Sequence, residues 1–343
     1  MRHINGYKND LLNLASAFSA RRLANALSVL QSYHVSKLTG RLAPPRLPIS
    51  ISIEPTTSCN LRCPECPSGL RAFSRPTGML NPDLFRNVID ELCKDLLYLT
   101  FYFQGEPFLN PGFLDMVRYA AEKKIYTATS TNAHFLDEKT ATEVVKSGLQ
   151  RLIISVDGTD QQTYQNYRIG GSLEKVLEGT RNIVESRKKL RSRTPYLVFQ
   201  FLVVKSNEHQ VNEIQELARK SGVDRVVFKT AQIYDYENGN PLIPTIEKYS
   251  RYKEQADGTY AVKNKLLNHC WKLWHSCVIT WDGKVLPCCF DKDASFEMGN
   301  VNDSSFREIW NNDSYNSFRS SLLRSRKEIS ICKNCTEGTK VWA

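Results

Sequence analysis

The chain has 343 residues, of which 41% are hydrophobic and 24% charged, so it can bury a sizeable core. This length excludes a minimal domain and suits one large α/β domain plus a smaller one. No stretch approaches the apolar length of a membrane-spanning helix, and residues 1–13 lack the apolar core of a signal peptide. Ten cysteines without an export signal predict a cytoplasmic protein in which cysteines serve metal or redox chemistry rather than disulfides.

The net charge of +10 fits nucleic acid, anionic lipid or a phosphorylated substrate as a partner. The only dense cationic run covers residues 187–193, at the end of a predicted helix. Cations at that position also complement the helix dipole, and no nucleic-acid-binding signature accompanies them. We therefore expect a solvated helix end and no nucleic-acid partner.

The first 48 residues predict an N-terminal extension of one or two amphipathic helices. Apolar residues recur at helical spacing between positions 8 and 40, for example at Leu23, Leu27 and Leu30. Such a helix either packs against the outside of the main domain or docks onto a membrane surface or a partner. The extension is too short for a separate peptide-recognition domain.

Between residues 49 and 235, strand-like and helix-like segments alternate, which predicts a parallel sheet with right-handed crossovers. The strand-like segments are 49–54, 98–103, 125–130, 152–156, 196–204 and 225–229, and the helix-like segments are 83–96, 111–123, 138–147, 173–188 and 208–221. Six units fall short of the eight of a closed barrel. Residues 236–265 are irregular and predict a linker or a substrate-covering segment.

Three cysteines follow the first predicted strand in a CxxxCxxC spacing: Cys59, Cys63 and Cys66. Three thiolates from one loop can bind one iron–sulfur cluster and leave one iron of four without a protein ligand. An open coordination position is typical of a metal centre that performs chemistry. A zinc site and buried free thiols are the alternatives.

At these residues the sequence resembles the radical S-adenosylmethionine (AdoMet) superfamily. The resemblance implies an open six-stranded (β/α)6 partial barrel and a 4Fe–4S cluster whose free iron chelates AdoMet. It also implies reductive cleavage of AdoMet to a 5′-deoxyadenosyl radical, with an electron donor such as flavodoxin or ferredoxin. Glu65 stands where many members carry an aromatic residue near the adenine.

Polar residues follow the predicted strands, as expected of a site at the carboxyl edge of a parallel sheet. The stretch 104–107, Gln-Gly-Glu-Pro, resembles the GGEP motif of the superfamily with glutamine in place of the first glycine. Taken singly, each such residue is equally typical of a turn or a surface ion pair. The resemblance implies that AdoMet is bound by Gly105, Glu106, Asn132, Ser155, Asp157 and Arg168.

Six further cysteines lie beyond residue 269. Residues 280–285 predict a hairpin with an Asp-Gly turn, and Cys332 and Cys335 form a CxxC pair. A hairpin with a CxxC knuckle is also how zinc ribbons bind zinc, so spacing alone leaves zinc open.

This region resembles the SPASM and shorter twitch extensions of radical AdoMet enzymes. A full SPASM domain needs cysteines beyond its last CxxC, and the sequence has none after Cys335. The resemblance therefore implies, within residues 266–343, one auxiliary 4Fe–4S cluster bound by Cys270, Cys288, Cys332 and Cys335. We expect Cys93, Cys277 and Cys289 to be buried thiols, although Cys289 could replace Cys288.

These features predict a radical AdoMet oxidoreductase that performs a two-electron oxidation of a small polar substrate, such as a sugar or an alcohol. The auxiliary cluster would accept the second electron or orient the substrate. Modification of a peptide is the alternative within the enzyme class. A metal-stabilised binding protein without turnover is the alternative from another class. The sequence assigns no catalytic residue.

Overall fold

The computed structural model describes residues 2–341, with the side chains of residues 2–7 and 9 excepted. The strands are β1 (Ser50–Ile53), β2 (Tyr98–Thr100), β3 (Tyr126–Thr131), β4 (Arg151–Ser155), β5 (Tyr196–Val203), β6 (Arg225–Thr230), β7 (Tyr252–Glu254), β8 (Tyr260–Val262), β9 (Ser276–Ile279), β10 (Lys284–Leu286) and β11 (Gly299–Asn300). The helices are α1 (Arg2–Ser16), α2 (Ala20–Thr39), α3 (Pro67–Leu70), α4 (Pro82–Leu92), α5 (Phe113–Glu122), α6 (Glu138–Lys146), α7 (Gln161–Tyr167), α8 (Leu173–Lys189), α9 (Glu213–Lys220), α10 (Trp271–His275), α11 (Phe306–Trp310), α12 (Asp313–Ser325) and α13 (Ser330–Lys333).

The first six strands lie side by side in chain order and pair in parallel, which confirms the predicted α/β class. Their alternating helices cover the sheet, and the core between them is apolar, with Phe85, Phe101 and Phe199 fully buried. The predicted helix over 208–221 is shorter than expected. A single 3-10 turn, Glu208–Gln210, precedes α9 because Asn207 uses its side chain to bond the backbone of Val204 and Leu202.

The C-terminal hairpin extends the same sheet. β9 pairs in parallel with β1, with Ser276 opposite Ser50, and β10 and β11 follow in antiparallel. The turn between β9 and β10 includes Gly283 at a φ of +88°, a conformation that glycine adopts without strain. Strand β9 thus connects the two predicted domains through main-chain hydrogen bonds, while the domain boundaries themselves stay a prediction.

The segment 236–265, expected to be irregular, contains the two-stranded hairpin β7–β8. The Tyr252 hydroxyl bonds the Ile233 carbonyl oxygen and the Asn334 side chain at 3.0 and 2.9 Å. This hairpin therefore connects the end of the parallel series to the CxxC pair.

The two N-terminal helices lie across the end of the sheet at which the strands begin. Asp10 on α1 accepts hydrogen bonds from Tyr126 and Arg151, at the start of β3 and β4. Arg22 on α2 donates to the carbonyl oxygens of Cys93 and Lys123, which follow α4 and α5. The helices therefore pack against the main domain, as one interpretation predicted, and α2 does so through a mixed face on which Val29 and Tyr33 are buried beside Arg22 and Asn25. Among residues 2–341, no helix combines the length and apolarity needed to cross a membrane.

Candidate functional site: two groups of cysteines

The CxxxCxxC loop leaves the carboxyl end of β1. Cys63 is buried and Cys59 and Cys66 are partly buried, and all three belong to one apolar cluster with Leu61 and Tyr167. The thiols of Cys59, Cys63 and Cys66 lie close enough to interact electrostatically with one another. The three predicted ligands of the first cluster are thus neighbours.

The Gln-Gly-Glu-Pro turn after β2 supports this loop through its backbone. The Gly105 N–H donates to Ser68 Oγ and the Glu106 N–H to the Ser58 carbonyl oxygen, both at 2.8 Å. Gly105 has a φ of +74°, and a Cβ at this position would lie 2.2 Å from the Thr56 carbonyl oxygen. Only glycine permits this close approach of two backbones.

The Glu106 carboxylate is buried and already hydrogen bonded. Its oxygens accept from Thr131 Oγ1 at 2.7 Å and from the Asn132 N–H at 2.8 Å. Burial raises the pKa of Glu106 to about 7, and those hydrogen bonds oppose the rise. The carboxylate therefore fixes the end of β3, and its contact with AdoMet stays a prediction.

Asn132, just after β3, and Arg168, just after α7, both reach the cysteine loop. Asn132 Nδ2 donates to Asn60 Oδ1 at 2.7 Å and lies 3.9 Å from Cys59 Sγ. Arg168 Nε donates to Asp157 Oδ2 at 2.5 Å, and its Nη1 lies 3.7 Å from Cys63 Sγ.

The last two predicted AdoMet contacts lie at and just beyond the end of β4. Asp157 also accepts the Leu202 N–H at 2.7 Å, and Ser155 is buried in the last position of the strand. The structure thus groups all six predicted AdoMet-contacting residues around the end of the sheet that carries the cysteines.

Burial disfavours the thiolate form of two thiols in the first group, Cys59 and Cys63. Burial raises the pKa of Cys59 to about 11 and also raises the pKa of Cys63, which the Arg168 guanidinium opposes. Metal binding displaces thiol protons, so a cluster here must release them on assembly. The nearby Arg168 cation offsets part of the resulting negative charge.

The second group lines one small cavity, which Cys270, Cys288, Cys332 and Cys335 share. Cys270 precedes α10, Cys288 follows β10, and the CxxC pair flanks the end of α13. A Cβ on Gly338 would lie 2.2 Å from Cys270 Sγ, so the chain passes directly against this thiol. The four predicted auxiliary ligands are therefore brought together from three separate parts of the chain.

Arg326 is a buried cation in the wall of this cavity. One guanidinium nitrogen, Nη2, lies 3.3 Å from Cys335 Sγ and donates to the Glu337 carbonyl oxygen at 2.8 Å. Its Nε is buried and has no hydrogen-bond partner among the described residues. A buried cation with an unused donor beside four thiols fits a group that carries negative charge.

The remaining cysteines lie apart from these groups or beside them. Cys277 is buried in β9, where burial raises its pKa, and Cys93 is partly buried at the end of α4. Cys289 lies 3.9 Å from Lys272 Nζ, and the hydrogen bond with Cys288 and this ammonium lower its pKa. Cys277 and Cys93 agree with the expected buried thiols, whereas Cys289 faces a cation.

Sequence reasoning noted Glu65 but missed Tyr234 and Lys292, which together with Glu65 shape the space between the two groups. Glu65 Oε2 accepts the Tyr234 N–H at 3.0 Å, and Lys292 Nζ lies 4.8 Å from the centre of the Tyr234 ring. The Lys292 ammonium interacts electrostatically with both Cys66 and Cys289. No spacing rule marks these positions, since they come from loops whose packing only the fold defines.

Both groups suit iron–sulfur clusters in the chemistry of their donors. Cysteine thiolates are the usual ligands of such clusters, and each thiolate binds a different iron atom. Residues 2–341 contain no group of three or more Cys, His, Asp or Glu side chains at the spacing that suits one metal ion. In the first group three thiols share an apolar cluster, and in the second four thiols share a cavity with a buried guanidinium.

Two family models match the chain. The radical SAM superfamily model matches residues 53–218, and the SPASM model, an iron–sulfur cluster-binding domain, matches residues 270–336. The first range contains all six predicted AdoMet contacts, and the second contains the four predicted auxiliary cysteines.

Curated relatives match over most of their length. The chain is 26% identical to a tungsten-containing aldehyde ferredoxin oxidoreductase cofactor-modifying protein of Pyrococcus furiosus, over 83% of the chain and 86% of that protein. It is 24% identical to a PqqA peptide cyclase of Rhodopseudomonas palustris, over 80% of the chain and 76% of that protein.

Solved structures show the same fold. BtrN in complex with AdoMet and 2-DOIA has a TM-score of 0.52 and 19% identity, over 86% of this chain and 96% of BtrN. Streptococcus suis SuiB bound to its precursor peptide SuiA has a TM-score of 0.62 and 15% identity, over 91% of this chain and 75% of SuiB. The expected partial barrel is thereby confirmed.

Proposed function

Because this chain belongs to the radical SAM superfamily and carries a SPASM domain, we propose that it is an oxidoreductase that uses both cysteine groups to oxidise a peptide. Superfamily members are enzymes, so the alternative of a binding protein without turnover is not retained. When bound, the cluster and AdoMet supply a 5′-deoxyadenosyl radical that abstracts a substrate hydrogen.

The observation that carries the proposal is the grouping of seven cysteines into two separate sets, one in the loop after β1 and one around a cavity. Cys59, Cys63 and Cys66 would bind the cluster that has one open iron. Cys270, Cys288, Cys332 and Cys335 would bind a single auxiliary cluster and leave it no open position. Lys292 interacts electrostatically with Cys66 of the first group and with Cys289, the chain neighbour of Cys288, which supports a substrate position between the two groups.

The AdoMet-binding residues would act by position and charge. Arg168 would pair with the methionyl carboxylate through the part of its guanidinium that does not bond Asp157. Gly105 and Asn132 would fix the cysteine loop through Ser68 and Asn60. Burial of Glu106 and Asp157 beneath this loop excludes water from the site.

The substrate class rests on the relatives. A curated relative is a peptide cyclase, and a structural neighbour is bound to its precursor peptide, which favours a peptide over the sugar-like substrate expected from the sequence. A small polar molecule is the second candidate, because the fold shared with BtrN bound to AdoMet and 2-DOIA covers 96% of that chain.

Anaerobic reconstitution tests the enzyme class. We expect about eight iron atoms per chain from two four-iron clusters, and release of 5′-deoxyadenosine from AdoMet on reduction. Replacing Cys59, Cys63 and Cys66 together by Ala should abolish this cleavage and leave about four iron atoms. Persistent cleavage in that variant would contradict the assignment of the first cluster.

The substrate is tested with the reconstituted enzyme, AdoMet and two candidate sets. One set contains short peptides encoded beside the gene, and the other contains amino-sugar alcohols. A peptide product that has lost two hydrogen atoms, detected by mass spectrometry, supports the first candidate. Oxidation of an alcohol to a carbonyl, with no change in any peptide, would contradict the peptide candidate and support the small polar molecule.

A further inference from the structure

The N-terminal helices carry an apolar face that neither cysteine group uses. Seven large side chains of this region are each more than two-fifths exposed, and Leu12, Leu27 and Leu38 reach 64%, 58% and 84%. We call these seven residues the basal apolar face: Leu11, Leu12, Phe18, Leu23, Leu27, Val35 and Leu38. Several large apolar side chains exposed on one pair of helices are typical of an interaction surface.

The orientation of α2 is fixed by its polar residues. Arg22 donates to the Cys93 and Lys123 carbonyl oxygens, and Asn25 Nδ2 donates to the Leu47 carbonyl oxygen at 2.9 Å. Ser32 donates to the Ala43 carbonyl oxygen at 2.6 Å. Rotating the helix to bury its leucines would break these bonds and leave buried carbonyl oxygens unpaired. The leucines therefore face outward in the folded protein.

The segment that carries most of this face contains cations and no acidic residue. From Leu11 to Ile53 the sequence contains five cations and no Asp or Glu. Of these cations, Lys37, Arg41 and Arg46 are exposed, whereas Arg22 is buried and Arg21 pairs with Asp95. Exposed leucines among exposed cations are typical of helices that lie in a membrane interface.

Further cations lie at the same end of the molecule, of which Lys146 pairs with Glu143, and Arg219 and Lys220 pair with Glu216. Helices in a parallel α/β series run opposite to the strands, so they end beside α1 and α2. Their last turns and the residues that follow carry exposed cations: Lys146 on α6, Lys188, Lys189, Arg191 and Arg193 at the end of α8, and Arg219 and Lys220 on α9. The basal apolar face is therefore bordered by cations from several elements.

We propose that the basal apolar face docks the enzyme onto an anionic phospholipid bilayer, with α1 and α2 lying in the headgroup region. The leucines would enter the acyl boundary while Lys37, Arg41 and the helix-end cations contact lipid phosphates. The first cysteine group follows the carboxyl end of β1, at the opposite end of the sheet, and stays on the aqueous side. A second copy of the chain would place these cations against each other, and a nucleic acid would leave the leucines without a partner.

Vesicle flotation with the reconstituted full chain tests this proposal. We expect binding to phosphatidylcholine vesicles that contain roughly one third phosphatidylglycerol, and much weaker binding to pure phosphatidylcholine. The double substitution Leu23→Glu/Leu27→Glu should lower the partition coefficient at least about tenfold. The double substitution Lys37→Glu/Arg41→Glu should lower it by a similar factor on anionic vesicles and remove its dependence on salt.

A matched control changes two exposed apolar residues elsewhere. Ile246→Glu/Leu267→Glu adds the same charge outside the basal apolar face and should bind vesicles like the unmodified protein. Iron content and AdoMet cleavage without vesicles should be the same in all variants, which excludes misfolding.

Three results would overturn the proposal. The first is that the unmodified protein does not bind anionic vesicles, and the second is that the control variant loses as much binding as the Leu23→Glu/Leu27→Glu variant. The third is that the unmodified protein forms a dimer and does not bind vesicles, while the Leu23→Glu/Leu27→Glu variant is a monomer. Each result is independent of the substrate assignment, because none requires turnover.

Discussion

The two cysteine groups are built in opposite ways. In the first group, the three ligands come from one eight-residue loop. This loop is held by a segment distant in the sequence, since Ser58 and Ser68 accept hydrogen bonds from the turn after β2. In the second, the ligands are spread from Cys270 to Cys335 and meet only after the hairpin and α13 have packed. The first group, whose ligands are close in sequence, therefore depends on backbone contacts with a distant segment. The second group, whose ligands are far apart in sequence, depends on contacts between near residues such as Arg326 and Cys335.

The strongest contrast is expected from removing the second group alone. In the Cys332→Ala/Cys335→Ala variant we expect about four fewer iron atoms per chain, complete loss of the oxidised product, and AdoMet cleavage that remains within about threefold. Iron analysis measures the iron content, and quantification of 5′-deoxyadenosine measures AdoMet cleavage. Cys93→Ala, on α4, is the matched control and should change neither. Loss of AdoMet cleavage in the double variant would show that the two groups are not separable.

Gly105 tests whether the first group depends on backbone contact. Ala at this position combines a φ of +74° with a Cβ 2.2 Å from the Thr56 carbonyl oxygen. We expect roughly 3 kcal/mol lower stability and at least a hundredfold slower AdoMet cleavage. The control is Gly40→Ala, which has a φ of +66° but no atom within 4 Å of the added Cβ.

Chemical denaturation and initial rates separate these two variants. Gly40→Ala should lose only about 1 kcal/mol from backbone strain and keep full activity. Equal effects in the two variants would mean that left-handed geometry, and not contact with the cysteine loop, explains the role of Gly105.

Arg326 tests the local support of the second group. Replacing this buried side chain by Met leaves the carbonyl oxygens of His269 and Glu337 without their donor, which costs about 3 kcal/mol. We expect the auxiliary iron to be lost first on titration with a chelator, while the first cluster is retained. Arg324→Met, on the exposed side of α12, should leave the chelator titration unchanged. If the chelator titration of Arg326→Met were also unchanged, the Arg326 guanidinium would have no role in retaining the auxiliary iron.

The smallest effect concerns the junction of the two regions. His275 Nδ1 lies 3.1 Å from Ser50 Oγ, and burial lowers the pKa of His275 to about 3 from 6.5. Between pH 6.5 and pH 3 the unfolded chain binds a proton at His275 that the folded chain does not bind. The free energy of unfolding therefore falls as the pH drops below 6.5. The expected loss is about 1.4 kcal/mol for each pH unit below that value.

Denaturant titrations at neutral pH and about one unit below the ordinary histidine pKa measure this loss. His275→Gln should flatten the acid side of the profile relative to the unmodified chain, and replacing the exposed His209 by Gln should not. A profile unaffected by His275→Gln would place the acid-sensitive group elsewhere.

Much of the barrel could be predicted because strand and helix periodicity is a local property. The predicted strand over 196–204 and helix over 173–188 match β5 and α8 within one residue at each end. The cysteine spacing indicated both groups, since thiol ligands at short intervals have few other uses in a chain without disulfides.

The rest depended on contacts between distant positions. The parallel pairing of β9 with β1 joins Ser276 to Ser50, which no periodicity indicates. The sequence left both packing and docking open for the N-terminal helices, and it did not show which face of α2 packs against the main domain. An apolar stripe ordinarily faces the core, but Arg22 and Asn25 satisfy carbonyl oxygens that leucines could not. Lys292 and Arg326 come from loops and helix ends whose packing only the fold defines.

The pairing of β9 with β1 also constrains how the enzyme is made. During translation the CxxxCxxC loop emerges from the ribosome long before Ser276. One edge of β1 therefore stays unpaired until β9 has been synthesised. Such a separation between paired segments slows folding. The second set of thiols is complete only after Cys335 has been synthesised, so cysteines made earlier are open to oxidation before iron is inserted.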